Sequence, residues 1–134
     1  MTELTDFLFP APAPRSTPGI WQWWEARRLK YNALVGGAGL VSLGVIRTVT
    51  WLPPNRHEEM LPLAVVVVFG VMANVCYTLG PTVEVISEKL WGRKILPVGP
   101  TLFRMGLSFS IGLALLPSLI AGFDWGFRIL KALF

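Results

Sequence analysis

The chain has 134 residues, 53% of them hydrophobic and only 15% charged, with a mean hydropathy of +0.56. A soluble domain carries about a quarter charged residues, so the composition excludes an ordinary water-soluble fold. The net charge of +4 is read as Lys and Arg flanking membrane segments rather than as a nucleic-acid surface, and a single Cys76 excludes an intrachain disulfide.

Residues 1–16 read as a flexible, proline-rich tail. Phe7-Leu8-Phe9 precedes the run Pro10-Ala11-Pro12-Ala13-Pro14, where each proline fixes φ and removes a donor, favouring an extended form. Two roles stay open for it, dipping into the membrane interface or docking onto a partner subunit.

A helix is expected from residue 17, because Ser16 or Thr17 can cap it and Pro18 suits its first position. Its opening, 17–30, reads as an interfacial aromatic and basic segment. Trp21, Trp23, Trp24, Tyr31 and, at the other end of the crossing, Trp51 are of the type that sits at the headgroup level. Arg27, Arg28 and Lys30 reach from there to phosphates. The i, i+4 spacing of Trp23 with Arg27 and of Trp24 with Arg28 permits cation–π contacts. The stretch Trp24-Glu25 through Arg27-Arg28-Leu29 to Tyr31-Asn32, with an echo in Ala73-Asn74-Val75-Cys76-Tyr77-Thr78-Leu79-Gly80, resembles the opening of a set of uncharacterised small bacterial membrane proteins. The resemblance implies a bacterial inner-membrane location and no activity.

Three apolar runs follow, 31–51, 61–80 (extending to about 90) and 101–122, of 21, 20 and 22 residues. A helix needs about 20 apolar residues to cross a bilayer core of about 30 Å. The fold class is therefore all-α integral membrane, with three transmembrane helices in 31–122. The first run starts too late and is too long for a signal-peptide h-region, so it is expected to remain in the mature protein.

Within the first and third runs, Ala33, Gly37 and Gly44, and Gly106, Ser110 and Ala114, form small-residue stripes of the kind that allow close helix approach. The stripes could meet inside one bundle or serve contacts with other chains. The second run is distinct. Asn74, Tyr77, Thr78, Glu84 and Glu88 share one face if the helix continues through Pro81. That face could be bonded to a neighbouring helix, or it could line a path or pocket.

Arg47, four residues before Trp51, reads as a snorkelling interfacial charge. His57-Glu58-Glu59 lacks the further His or Cys that a zinc site needs. No nucleophile–base pair or phosphate loop is recognisable, so no enzyme activity and no cofactor are expected, with bound lipid the only small-molecule companion. After Gly122, Asp124 could cap a short amphipathic helix over 123–134, with Phe123, Phe127, Leu130 and Phe134 on one face; continuation of the third crossing is the other option.

With three crossings, the N-terminus and second loop share a side holding eight Lys and Arg, against four on the other side. Cytoplasmic loops gather such residues, which favours a cytoplasmic N-terminus and an external C-terminus. The expected role is a non-enzymatic accessory or scaffold subunit whose partners are membrane lipids and other membrane subunits or copies of itself, without nucleic acid. The alternative is a homo-oligomeric channel, small carrier or membrane-disrupting effector using the Asn74 to Glu88 face.

Overall fold

The computed structural model describes residues 2–54, 63–94 and 96–134, apart from the side chains of Thr2 and Arg93. Arg56 and His57-Glu58-Glu59 lie outside the described residues. Among the described residues there are four α-helices, α1 (Thr2–Leu8), α2 (Thr17–Trp51), α3 (Leu63–Trp91) and α4 (Gly99–Leu133), with a 3-10 turn at Gly92–Lys94. No strand occurs among the described residues. α2, α3 and α4 are each long and apolar enough to cross a membrane.

Local chemistry sets the helix ends. Ser16 is extended, with φ −136° and ψ 145°, and its hydroxyl accepts from the Gly19 N–H at 3.2 Å. Pro18 follows where its missing N–H costs nothing. α2 stops before Pro53-Pro54, since a residue preceding proline is pushed out of the helical region. α3 ends at Trp91, and Gly92 follows with φ +54°, a left-handed value that glycine adopts freely. α3 continues through Pro81, and next to it Thr78 and Thr82 hydroxyls bond back to the carbonyls of Asn74 and Thr78 at 2.9 and 2.8 Å. Such hydroxyls satisfy backbone groups around a proline when water is scarce.

Cross-helix pairs define the topology. Trp24 meets Glu84 while Asn32 meets Asn74, so α3 is antiparallel to α2. Tyr31 meets Ser110 near one end and Trp125 donates to the Pro53 carbonyl at 3.1 Å near the other, so α4 runs parallel to α2.

Three expected boundaries are corrected. The interfacial segment 17–30 is no separate element: it is the first part of α2, because 35 residues hold one uninterrupted helix. Gly122 does not end the third long helix either. α4 continues to Leu133, and Asp124 pairs with Arg128 at 2.8 Å one turn on instead of capping a new helix. At about 1.5 Å per residue α4 is about 52 Å long, well beyond a core of about 30 Å. The N-terminus is not a free tail. α1 and the proline run fold back on the bundle, with Phe7 and Ala13 buried.

Candidate functional site

The densest chemistry lies where the start of α2, the end of α3 and the start of α4 converge. Ile20, Trp23, Trp24, Tyr31 and Val35 form the buried stripe of α2, and Phe103, Leu107, Ser110, Ala114 and Ser118 that of α4. Both repeat at three- and four-residue steps, the spacing that keeps side chains on one helix face. Phe103, only 1% exposed, is ringed by Phe7, Trp23 and Trp24 with centroids 5.2, 6.0 and 5.9 Å away, all edge to face. Edge-to-face pairs bring the positive ring edge to the negative face.

Glu84 is the polar centre of this cluster and is 6% exposed. Its Oε2 accepts from Trp24 Nε1 at 2.6 Å, and the carboxyl also accepts from the backbone N–H of Gly99. Gly99 is the first residue of α4, whose N-cap, Val98, offers no side-chain bond. The first N–H groups of any helix lack partners within it. Glu84 therefore caps α4 from a different helix, and through Trp24 it also holds α2.

Two glycines admit this geometry. A Cβ on Gly99 would overlap the Glu84 carboxyl, and a Cβ on Gly80 would overlap the Trp24 indole. Tyr77 completes the layer. Its hydroxyl donates to the Trp24 carbonyl at 2.6 Å, and its ring lies 5.3 Å from the Trp24 ring.

One to two turns deeper, Tyr31 shares a 2.7 Å hydrogen bond with Ser110 and donates to the Ala73 carbonyl at 3.3 Å. Asn32 Nδ2 donates to Asn74 Oδ1 at 3.2 Å, and Asn74 Nδ2 donates to the Gly70 carbonyl at 3.1 Å. Each of the three helix pairs thus has at least one side-chain bond across it.

The N-terminal segment covers the outer side. Trp23 Nε1 donates to the Ala11 carbonyl at 2.8 Å, tying the proline run to α2. Lys30 lies over the Phe7 ring and Arg104 over the Phe9 ring, at 5.8 and 5.2 Å. Arg15 lies 3.9 Å from Glu88.

The structure sorts the sequence-derived site residues. Along α3, Tyr77 and Glu84 are buried, while Asn74, Thr78 and Glu88 are half-buried; this face is turned into the protein. Ser110 and Ala114 are buried packing residues. Ala33, Gly37, Gly44 and Gly106 are exposed, and a Cβ at each of these glycines meets nothing within 4 Å. Within this chain these four positions therefore lie on the outer surface, and the buried face of α2 is made by Ile20, Trp23, Trp24, Tyr31, Val35 and Ser42.

A second correction concerns the aromatic ends. Trp23, Trp24 and Tyr31 were expected at the lipid interface and are instead buried at 8%, 2% and 2% exposure, because their polar atoms find protein partners. Trp51 remains 65% exposed, Trp21 is half-buried and Lys30 is exposed. Arg27 stacks on Trp23 at 4.0 Å as its spacing allows, but Arg28 lies over Tyr77 at 5.1 Å, not over Trp24, and pairs with Glu25 at 2.7 Å. Arg47 lies 6.0 Å from the Trp51 ring.

Sequence reasoning missed the Glu84 cap and the strap formed by the N-terminal segment. The one signal for the former was a carboxylate on the polar stripe of α3 and a Gly-Pro pair fifteen residues later. No group of three or more His, Cys, Asp or Glu able to hold a metal occurs among the described residues. The arrangement locks helices together. Compared with known proteins, the chain matches no protein family, no curated protein and no solved structure.

Proposed function

We propose that this chain is a three-span membrane protein, cytoplasmic at its N-terminus and external at its C-terminus, that serves as a non-enzymatic accessory or scaffold subunit. Its partners are lipids and other membrane subunits or copies of itself, in a bacterial inner membrane. One observation carries the reading: the polar face of α3 is consumed in bonds within the bundle, while the glycine stripe of α2 faces outward with open space above it. In lipid, exposed small residues are what allow another helix to approach closely. The same observation gives less support to a path along Asn74 to Glu88, whose groups are bonded to one another's neighbours instead of facing an open lumen.

The test is purification of the tagged full chain from its native membrane in mild detergent, with mass determination and identification of what accompanies it. A defined stoichiometric complex or homo-oligomer is expected; a lone monomer in several detergents would sink the reading. For orientation, a reporter that fluoresces only in the cytoplasm should stay dark when fused to the C-terminus, and a bright fusion would reverse the topology.

A further inference from the structure

Two cations beside the N-terminal strap lack an acidic partner. Arg15 lies near Glu88 and Arg28 pairs with Glu25, but Lys30 on α2 and Arg104 on α4 are exposed and join no salt bridge among the described residues. Glu3 and Asp6 of α1 join none either. The Lys30 ammonium lies 5.8 Å from the Phe7 ring and the Arg104 guanidinium 5.2 Å from the Phe9 ring. A ring face positions a cation without neutralising it. Arg27, one turn before Lys30, is already engaged: it stacks on Trp23 and donates to the Trp23 carbonyl at 2.9 Å.

Helix geometry puts both cations on one side of the seam between α2 and α4. At about 100° per residue, Lys30 stands roughly a quarter turn to one side of the buried face of α2, and Arg104 roughly a quarter turn to the opposite side of the buried face of α4. The two helices are parallel and face each other, so opposite offsets fall on the same side. Side chains also lean toward the N-terminus of their own helix, which aims both cations at the same membrane surface. Deeper along the seam the lining is apolar. Leu34 and Val41, 40% and 60% exposed, lie within about 40° of Lys30, and half-buried Ile111 and Leu115 lie within about 20° of Arg104. Gly37 and Gly44 fall on the far side of Lys30, away from this seam.

We propose that this seam binds one anionic phospholipid, whose phosphate bridges Lys30 and Arg104 while an acyl chain runs down between Leu34 and Ile111. Two accessible cations without a carboxylate leave a positive charge that an anionic headgroup balances, whereas a zwitterionic headgroup brings a cation of its own. The apolar track beneath the cations fits a lipid and gives nothing to a free phosphate. The inference rests on the chain being a membrane protein and is independent of the scaffold role, since the seam lies within one chain and a helix docked on Gly37 and Gly44 would occupy a different face.

Retention of the full chain in membranes washed with alkaline carbonate checks the membrane reading by itself; release would refute that reading and this proposal together. The site is then decided by native mass spectrometry of the detergent-purified full chain with phosphatidylglycerol and phosphatidylcholine of the same acyl chains. Wild type should bind one phosphatidylglycerol per chain about 25-fold more tightly than phosphatidylcholine, or about fivefold for each basic residue near an anionic headgroup. Lys30→Gln and Arg104→Gln should each lower that preference about fivefold, the double variant should abolish it, and Lys30→Arg should keep it. Both positions are exposed, so the variants should melt as wild type does; if the glutamines prevent folding, Lys30→Met and Arg104→Met, which keep an apolar stem, take their place. Lys89→Gln with Lys94→Gln, at the end of α3, should leave the preference intact. A preference that survives the double variant, one lost equally on changing Lys89 and Lys94, or displacement of the lipid by free glycerol phosphate would overturn the proposal.

Discussion

The two halves of the bundle are built on different principles. Around Glu84, large aromatic residues fill the space between helices and their polar atoms close on one another, with the N-terminal segment strapped across the outside. Beyond Asn32 and Asn74 the first two turns of α3 are exposed, while α2 and α4 stay together through small and aliphatic residues, with Val35, Ser42, Ala114 and Ser118 buried. Lipid is as apolar as leucine, so aliphatic faces gain little by meeting each other, whereas hydrogen-bonding groups gain from meeting partners. Polar and aromatic residues therefore hold this bundle together, and its aliphatic residues mainly face outward.

Trp24→Ala should be the most damaging. It empties the space against Gly80, removes three aromatic contacts and strips Glu84 of one donor. Large-to-small core changes of this kind cost about 3–5 kcal/mol. Leu40→Ala, at a position 71% exposed in the open half, should stay within about 0.5 kcal/mol. Reversible unfolding in mixed detergent micelles measures both. Similar losses for the two variants would erase the distinction between the halves.

Glu84→Leu comes next. It leaves the Trp24 and Gly99 N–H groups without an acceptor, at about 1–3 kcal/mol each for a buried donor. Glu84→Gln keeps the shape and one acceptor oxygen, so it should cost clearly less in the same unfolding measurement. If the two substitutions proved equally harmful, the carboxyl would not be acting as an acceptor for both donors. A pronounced loss with Gly99→Ala, whose Cβ would overlap that carboxyl, is the companion expectation.

How much of this was legible in the sequence depends on how far apart the partners are. The Ser16 cap, the continuation of α3 through Pro81 and the common face of Asn74, Tyr77 and Glu84 all follow from neighbours within a few residues. The existence of three long apolar helices is legible for the same reason. Glu84 as the cap of α4 was not, because its Trp24 partner lies sixty residues away and only closure of the bundle brings them together. The glycine stripe was legible only in part. Its spacing correctly marks one face of α2 but does not say whether that face meets this chain or another. Whether the third helix ended near residue 122 stayed open in the sequence, because a change in composition does not by itself mark a break. A helix that leaves the hydrocarbon loses nothing by continuing, since each further turn satisfies its own backbone groups.

The boundary between the halves is the Asn32–Asn74 pair, and Asn74→Leu examines it. Interhelical side-chain bonds in membrane proteins average about 0.6 kcal/mol, so a small loss is expected in the unfolding measurement, with the Glu84 end intact. Loss of most of the protein's stability would mean that the two halves are one cooperative unit centred on this pair, and the contrast drawn above would be misplaced.

The smallest expected effect on the isolated chain belongs to Gly37→Leu, and it is the most informative about what the open half is for. The position is exposed and a Cβ there meets nothing within 4 Å, so there is room for a larger side chain, and exchanging glycine for leucine in a helix interior is favourable by local propensity. Stability of the monomer should therefore be unchanged or slightly raised, within about 0.5 kcal/mol. Association has the opposite sensitivity. If another helix packs on the α2 stripe, a leucine there holds the two backbones apart and removes the close contact on which small-residue interfaces depend. Gly37→Leu should then retain the wild-type melting behaviour while losing its companions in native-detergent purification, a separation that no substitution around Glu84 can produce. Companions retained undiminished would place the interface elsewhere on the surface, and a destabilised monomer would mean that the stripe belongs to the fold after all.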